Sequence, residues 1–250
     1  MGTVSKALSL LGYFSRSRSL IGLSDMARLS GLNKATVHRL MNELQESGFV
    51  EQGSGSRDYR LGPAFLRLAA LREAAVPMRD MAQTSLQGLA EATGETAHVS
   101  LLQGQLLSTL SYAYAHQHGT RVTMEDAEVL PLHATSSGLA VLAHSSPAFV
   151  EAALTAPLKP RTPHTLTDPD EIRAALKNIR STGLSESIAG FEADVHTLAM
   201  PLFDANQTCI GAIAVAAPVS RMTPDLKQTI SKALTEAAPK LTRQIGGFLP

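Results

Sequence analysis

The sequence holds a single cysteine, Cys209, in 250 residues, so no disulfide can form within the chain. No apolar run approaches the roughly 20 residues that a bilayer-spanning helix needs. The first residues, Met1 to Lys6, lack the charged start and apolar core of a signal peptide. These absences make a reducing, cytoplasmic location, with no membrane partner, the expectation. Net charge is also missing: 22 Lys and Arg balance 22 Asp and Glu, which alone argues against a nucleic-acid partner. The balance is uneven along the chain, however. Residues 1–80 hold 11 Lys and Arg against 7 Asp and Glu, and the remainder holds 11 against 15. A front end of +4 joined to a rear of −4 is the distribution expected of a DNA reader with a separate sensor.

In the N-terminal third, Val4, Ala7, Leu8, Leu10, Leu11 and Phe14 recur at helical spacing and predict a first helix with one buried face. Ser24 reads as the N-cap of a short second helix from Asp25 to Leu29, and Gly31 as the left-handed residue that ends it. Asn33 caps a third helix running to about Ser47, with Val37, Leu40, Met41 and Leu44 inward at i, i+3, i+4 and i+7. Two short helices joined by a glycine-containing turn predict a helix-turn-helix. Phe49 to Gln52 and Tyr59 to Leu61, either side of a Gly/Ser loop, add a β-hairpin, and helix, turn, helix, hairpin is a winged helix. Its third helix would enter the major groove. The outward positions Asn33, Lys34, Thr36, His38 and Arg39 suit phosphates and base edges. Arg57, at the wing tip, would reach an adjacent groove or backbone. Alone, such basic residues are more often a solvated helix face; within this pattern they become candidates.

The segments Leu23 to Ala27, Gly31 to Leu40, Gly48 to Val50 and Tyr59 to Gly62 resemble the N-terminal domain of IclR-type transcription regulators. The resemblance places Ser24 beside the outward residues of the third helix as a DNA contact. Residues 1–62 then form the winged helix-turn-helix, residues 63–76 a linker helix opened by Pro63, and residues 77–250 a sensor domain whose first helix runs from Pro77 to Ala92.

Beyond Gly94 the periodicity changes. Ala97 to Leu102 and Leu106 to Tyr112 predict a hairpin, Val195 to Phe203 and Cys209 to Ala216 a second strand pair. Helical patterns fall at Ser136–Ala143, Pro147–Leu154, Asp168–Arg180 and Thr223–Ile245. The expected class is α+β with two domains, the second an α/β sheet covered by helices. Leu130 to Ala143, Leu198 to Asp204 and Gly211 to Pro218 also resemble the IclR type, carrying the likeness over almost the whole chain. It implies a GAF-like effector-binding domain, a homodimer or dimer of dimers, and a near-palindromic double-stranded DNA operator.

Thr135, Ser136 and Ser137 fall at a helix N-terminus, where free amides and the helix dipole favour an anion such as a carboxylate. Capping their own helix is the simpler use of such residues. From the family pocket the resemblance carries over Val195, Thr197, Ala214 and Ala216. The chain departs from the family between Glu186 and His196, where the usual acidic pair is absent and Asp194 stands in the glycine position; Glu192, Asp194 and His196 are the substitutes at hand. Ala214 and Ala216 offer no hydrogen bonds, so a fairly apolar pocket for an aromatic or medium-sized organic acid is expected.

Other readings weigh less. Of the histidines only His116 and His118 are close, with no Cys or acidic partner at zinc spacing. His133 near Ser136 and Ser137 lacks a nucleophile elbow and an orienting acid, so no catalytic residue is assigned. No metal or cofactor is called for. A winged helix used on protein or RNA would be separated by its lack of selective, salt-dependent duplex binding.

Overall fold

The computed structural model describes residues 2–15, 18–53, 55–75 and 78–250. They form two compact units, Met1–Pro77 and Met78–Pro250.

The first unit runs α1 (Thr3–Leu11), α2 (Leu23–Ser30), α3 (Lys34–Glu46), β1 (Val50–Gln52), β2 (Tyr59–Leu61) and α4 (Ala64–Ala75). The inward stripe of α3 lies where its spacing puts it: Val37, Leu40 and Met41 are fully buried among Leu10, Ile21, Met26, Val50 and Tyr59. Gly48 takes a left-handed φ of 75°, which frees Phe49 N–H to bond Leu44 C=O (2.8 Å) and Gly48 N–H to bond Gln45 C=O (2.9 Å). That Schellman closure satisfies the last carbonyls of α3 and turns the chain into the hairpin. In the hairpin Val50 pairs with Leu61 and Glu51 with Arg60.

Two expectations need correction. Helix α2 starts earlier than Ser24 implied: Gly22, extended at φ −72°, is its N-cap, and its carbonyl accepts from Met26 N–H (2.9 Å). Ser24 sits in the first turn instead. Helix α1 stops at Leu11, short of Phe14, and only Leu10 is fully buried on it, while Val4 and Leu8, one turn apart, are mostly exposed. Its inner stripe is Ala7, Leu10 and Leu11.

The second unit begins with α5 (Met78–Thr93), β3 (Thr96–Gln103), β4 (Leu106–Ala113), β5 (Val129–Leu130), α6 (Ser136–Ala143) and α7 (Pro147–Thr155). It continues with α8 (Pro169–Thr182), β6 (Ser185–Ile188), β7 (Val195–Phe203), β8 (Cys209–Pro218) and α9 (Pro224–Gln244). Val76 and Pro77, in the expected linker and at the expected start of the sensor domain, lie outside the described residues. The six strands form one antiparallel sheet in the order β5-β4-β3-β8-β7-β6. The short strands β5 and β6, which carry no clear periodicity, are the additions to the expected set.

Strand alternation sorts the two faces of this sheet. Val99, Leu198, Ile213 and Val215 face Leu86 and Leu89 of α5 and Ile230, Leu234 and Leu241 of α9. Ala199, Ala212 and Ala214 face Ala140 and Val141 of α6. Small residues on both sides let α6 lie close to the sheet, and α7 and α8 cover its outer side through Leu142, Val150, Ile172 and Leu176. The unit is therefore GAF-like, a sheet clad by helices on both faces, with its cavity on the α6 side.

Candidate functional site

In the first unit, Asn33 Oδ1 accepts from Thr36 N–H (2.8 Å) and so caps α3. Lys34, His38 and Arg39 are exposed, and Thr36 is half-buried. Lys34 Nζ donates to Ser24 Oγ (2.9 Å), which ties the start of α3 to the first turn of α2. Arg39 donates to Glu43 Oε1 (2.7 Å), with both side chains more than half exposed. A pair that open to water holds only about 0–1 kcal/mol, so it yields readily to a phosphate. Arg57 is exposed between β1 and β2, its carbonyl accepting from Gln52 Nε2 (2.9 Å).

In the second unit a cavity opens beside the N-terminus of α6 and encloses about 480 Å³ of space, its open mouth included. Thr135 N-caps α6: its Oγ1 accepts from Gly138 N–H (3.0 Å) and donates to Pro131 C=O (3.1 Å). Gly138 is required here because any side chain would strike the Leu132 backbone. Among the described residues the amides of Ser136 and Ser137 meet no acceptor. They point the positive end of α6 at the cavity, an arrangement that attracts an anion.

The opposite wall comes from β7 and β8 through Val195, Thr197 and Ala216, and the mouth carries Phe191 and Glu192. Strand β3 contributes His98, which is buried, with Nε2 at 3.3 Å from Ser137 Oγ and Nδ1 without a partner among the described residues. The segment between β4 and β5 adds Val122, Thr123, Met124 and Glu128. That segment is pinned by Thr96 Oγ1 donating to Val122 C=O (2.7 Å) and by Tyr114 hydroxyl accepting from Met124 N–H (3.0 Å).

Burial pushes the His98 imidazole down to about 4. Two carboxylates move the other way. Partial desolvation raises Glu128, helped by the charges of Glu192 and Glu125, and raises Glu192, helped by Asp194.

The fold thus gathers Thr135, Ser136, Ser137, Glu192, Val195, Thr197 and Ala216 around one cavity. It does not bring His196 there. Alternation along β7 turns His196 to the α9 face, where its Nε2 lies 2.7 Å from Glu186 Oε1, a carboxylate that also pairs with Lys227. Those hydrogen bonds outweigh burial and hold Glu186 below the usual carboxylate range. Ala214 faces the α6 side but is sealed in the apolar cluster with Ala140 and Val141, and Asp194 does not line the cavity. His98 and Glu128 were missed; a polar residue at every second position of β3 (Thr96, His98, Ser100) was the available signal for His98. Among the described residues no cluster of three His, Cys, Asp or Glu side chains is placed to hold a metal ion, and no helix is long and apolar enough to cross a membrane.

The buried His98 gives a pH signature. Its folded value lies below the ordinary 6.5, so unfolded chains take up a proton that folded chains refuse, and stability falls as pH drops from about 6.5 towards 4. Between pH 7 and pH 5 the native protein should lose about 2 kcal/mol more than a His98→Gln variant, read from urea denaturation at both pH values. Equal losses would contradict a neutral buried imidazole.

Comparison with known proteins bears on both units. The model of the IclR helix-turn-helix domain matches residues 3–54, and that of the bacterial transcriptional regulator IclR C-terminal domain matches residues 72–243. The glycerol operon regulatory protein of Streptomyces coelicolor is 28% identical over 246 residues, spanning 98% of this chain and 96% of its own. A crystal structure from Silicibacter sp. TM1040, described as an IclR transcriptional regulator, is 61% identical with a TM-score of 0.95, covering 100% of this chain and 98% of that one. An IclR homologue from Microbacterium hydrocarbonoxydans, complexed with 4-hydroxybenzoate, is 25% identical with a TM-score of 0.75, covering 97% and 100%.

Proposed function

The chain belongs to the IclR family of bacterial transcription regulators, and from that premise we propose that it is a cytoplasmic homodimer or dimer of dimers whose grip on a near-palindromic operator responds to a small organic acid. Its relatives are DNA-binding regulators rather than enzymes. The observation that carries the reading is α3, whose apolar stripe is locked into the core while Lys34, His38 and Arg39 are exposed on the other side. Ser24, Asn33 and Thr36 flank that row, and Arg57 extends it from the wing. Two copies would set their third helices in successive major grooves.

The effector's carboxylate would sit on the free amides of Ser136 and Ser137, with Thr135 behind them. Its body would lie against Val195, Thr197 and Ala216, with Glu192 at the mouth. Helices α4 and α5, consecutive in the chain, would carry the signal between sensor and reader. A coupling of about 1–3 kcal/mol changes operator affinity roughly 5- to 150-fold, enough for a switch.

The test is binding of the purified protein to fragments of its own upstream DNA, titrated against salt. Arg39→Ala should weaken binding to specific and random duplexes alike, by roughly tenfold, and flatten the salt dependence by about one phosphate contact per protomer. Thr36→Ala should instead reorder the preference among operator base variants. Equal losses for both variants on specific and random DNA would refute this division of roles, and no selective binding at any salt would remove the reading.

A further inference from the structure

The cavity is chemically two-ended. One end is the α6 N-terminus with its free Ser136 and Ser137 amides, and the other holds two carboxylates. Glu128 reaches the cavity half-buried from the segment before β5, and Glu192 stands at the mouth on the loop between β6 and β7. The Glu128 carboxylate accepts one backbone hydrogen bond, from Glu125, but among the described residues neither carboxylate forms an ion pair and no Lys or Arg lines the cavity. Arg161 influences both, but it is stacked over the Phe191 ring, 4.9 Å from its centroid, and pairs with neither. His98, 4% exposed, adds a buried Nδ1 that no group among the described residues satisfies.

An apolar monoacid would bind with one end complementary and the other opposed. Two acids without a cationic partner repel each other and any second anion, whereas a cation between them relieves both at once. We propose that the effector is an amino acid in the broad sense, a carboxylate joined to an ammonium group through an apolar or aromatic spacer, with the ammonium held between Glu128 and Glu192. The inference rests on the reading of the cavity as an organic-acid site and narrows it to molecules carrying both charges.

Isothermal titration of the full-length protein with benzoate, 4-hydroxybenzoate, 4-(aminomethyl)benzoate, terephthalate and benzylamine tests it. The aminomethyl acid should bind about tenfold or more tightly than benzoate, and terephthalate more weakly than benzoate. The isosteric pair of changes Glu128→Gln and Glu192→Gln should bring the aminomethyl acid and benzoate to similar affinities and rescue terephthalate. Because both changes preserve side-chain shape, the circular dichroism spectrum and binding of benzoate report that the fold survives. Benzoate and the aminomethyl acid binding equally well, or a preference untouched by the double variant, overturns the inference and leaves the acid reading standing. A preference for 4-hydroxybenzoate over the amine likewise overturns it, in favour of a hydroxyl donor. Binding of benzylamine with no binding of any acid overturns the carboxylate anchor instead, and silence from all five probes removes both.

Discussion

Replacing Arg221 by alanine is expected to cost the second unit about 3–5 kcal/mol, because it leaves the Glu95 carboxylate buried and alone. Glu95, immediately before β3, is 2% exposed, and Arg221, in the turn after β8, reaches it through Nε and, at 2.7 Å, through Nη2. Removing one partner forfeits the attraction but keeps the penalty of taking a charge out of water. The same guanidinium donates to Thr120 C=O (3.1 Å), within the segment that brings Val122, Thr123 and Met124 onto the cavity. Effector affinity should therefore fall along with stability. The neutral pair Glu95→Gln with Arg221→Met should recover most of the loss, since it removes the stranded charge. Urea denaturation of the three proteins decides the matter: a loss below about 1 kcal/mol in Arg221→Ala, or no recovery in the double variant, would mean the pair is solvated enough to be dispensable.

The first unit was the more legible in sequence because each of its signals is local. Val37, Leu40, Met41 and Leu44 fix one helical face, and Asn33 and Gly48 mark its ends by chemistry that works within a few residues. The misreading of Ser24 has the same origin. A serine before an acidic residue looks like a cap, yet the backbone of Gly22 opens the helix earlier, and nothing in the side chains announces it. In the second unit, helices α6 to α9 and the long strands showed through their periodicity. Strand β5, two residues long, and β6, whose Ser185–Ile188 alternates weakly at a sheet edge, did not.

The cavity was legible only where its chemistry is local. Thr135 to Ser137 announce a helix start, whereas Val195, Thr197 and Ala216 came from the family likeness. Consistent use of the two-residue period would have kept Val195 and Thr197 together and sent His196 to the other face. His98 carried a local signal, the polar alternation of β3, but its place at the cavity comes from β3 lying beside β8, pairing His98 with Ala214 across about half the chain. Glu128 lies in a segment without periodicity, placed by Thr109 N–H donating to its carbonyl (3.0 Å) and by the tethers on Val122 and Met124. Long-range placement of that kind leaves no trace at Glu128.

Met41→Ala should separate the two units' contributions to function. Met41 is fully buried in a core of nine residues that holds α1, α2, α3 and the hairpin together. Truncating it removes transfer energy and opens a cavity, a cost of about 2–5 kcal/mol. A core in a unit under 80 residues rarely supplies more than about 3–5 kcal/mol, so the first unit should be largely unfolded at 37 °C. The second unit has its own cores, on both faces of its sheet, and does not draw on Met41. Thermal unfolding should accordingly split, with an early transition for the first unit and an unchanged later one, and a single stability value should cease to describe the chain. Operator binding should disappear while titration of an organic acid into the cavity still gives its full heat. Met41→Leu, which nearly conserves volume, should cost less than about 1.5 kcal/mol and keep both activities. Loss of acid binding in Met41→Ala alongside DNA binding would show instead that the sensor needs a folded reader to hold its shape, and the regulatory signal would then run through shared stability rather than through the placement of two intact units.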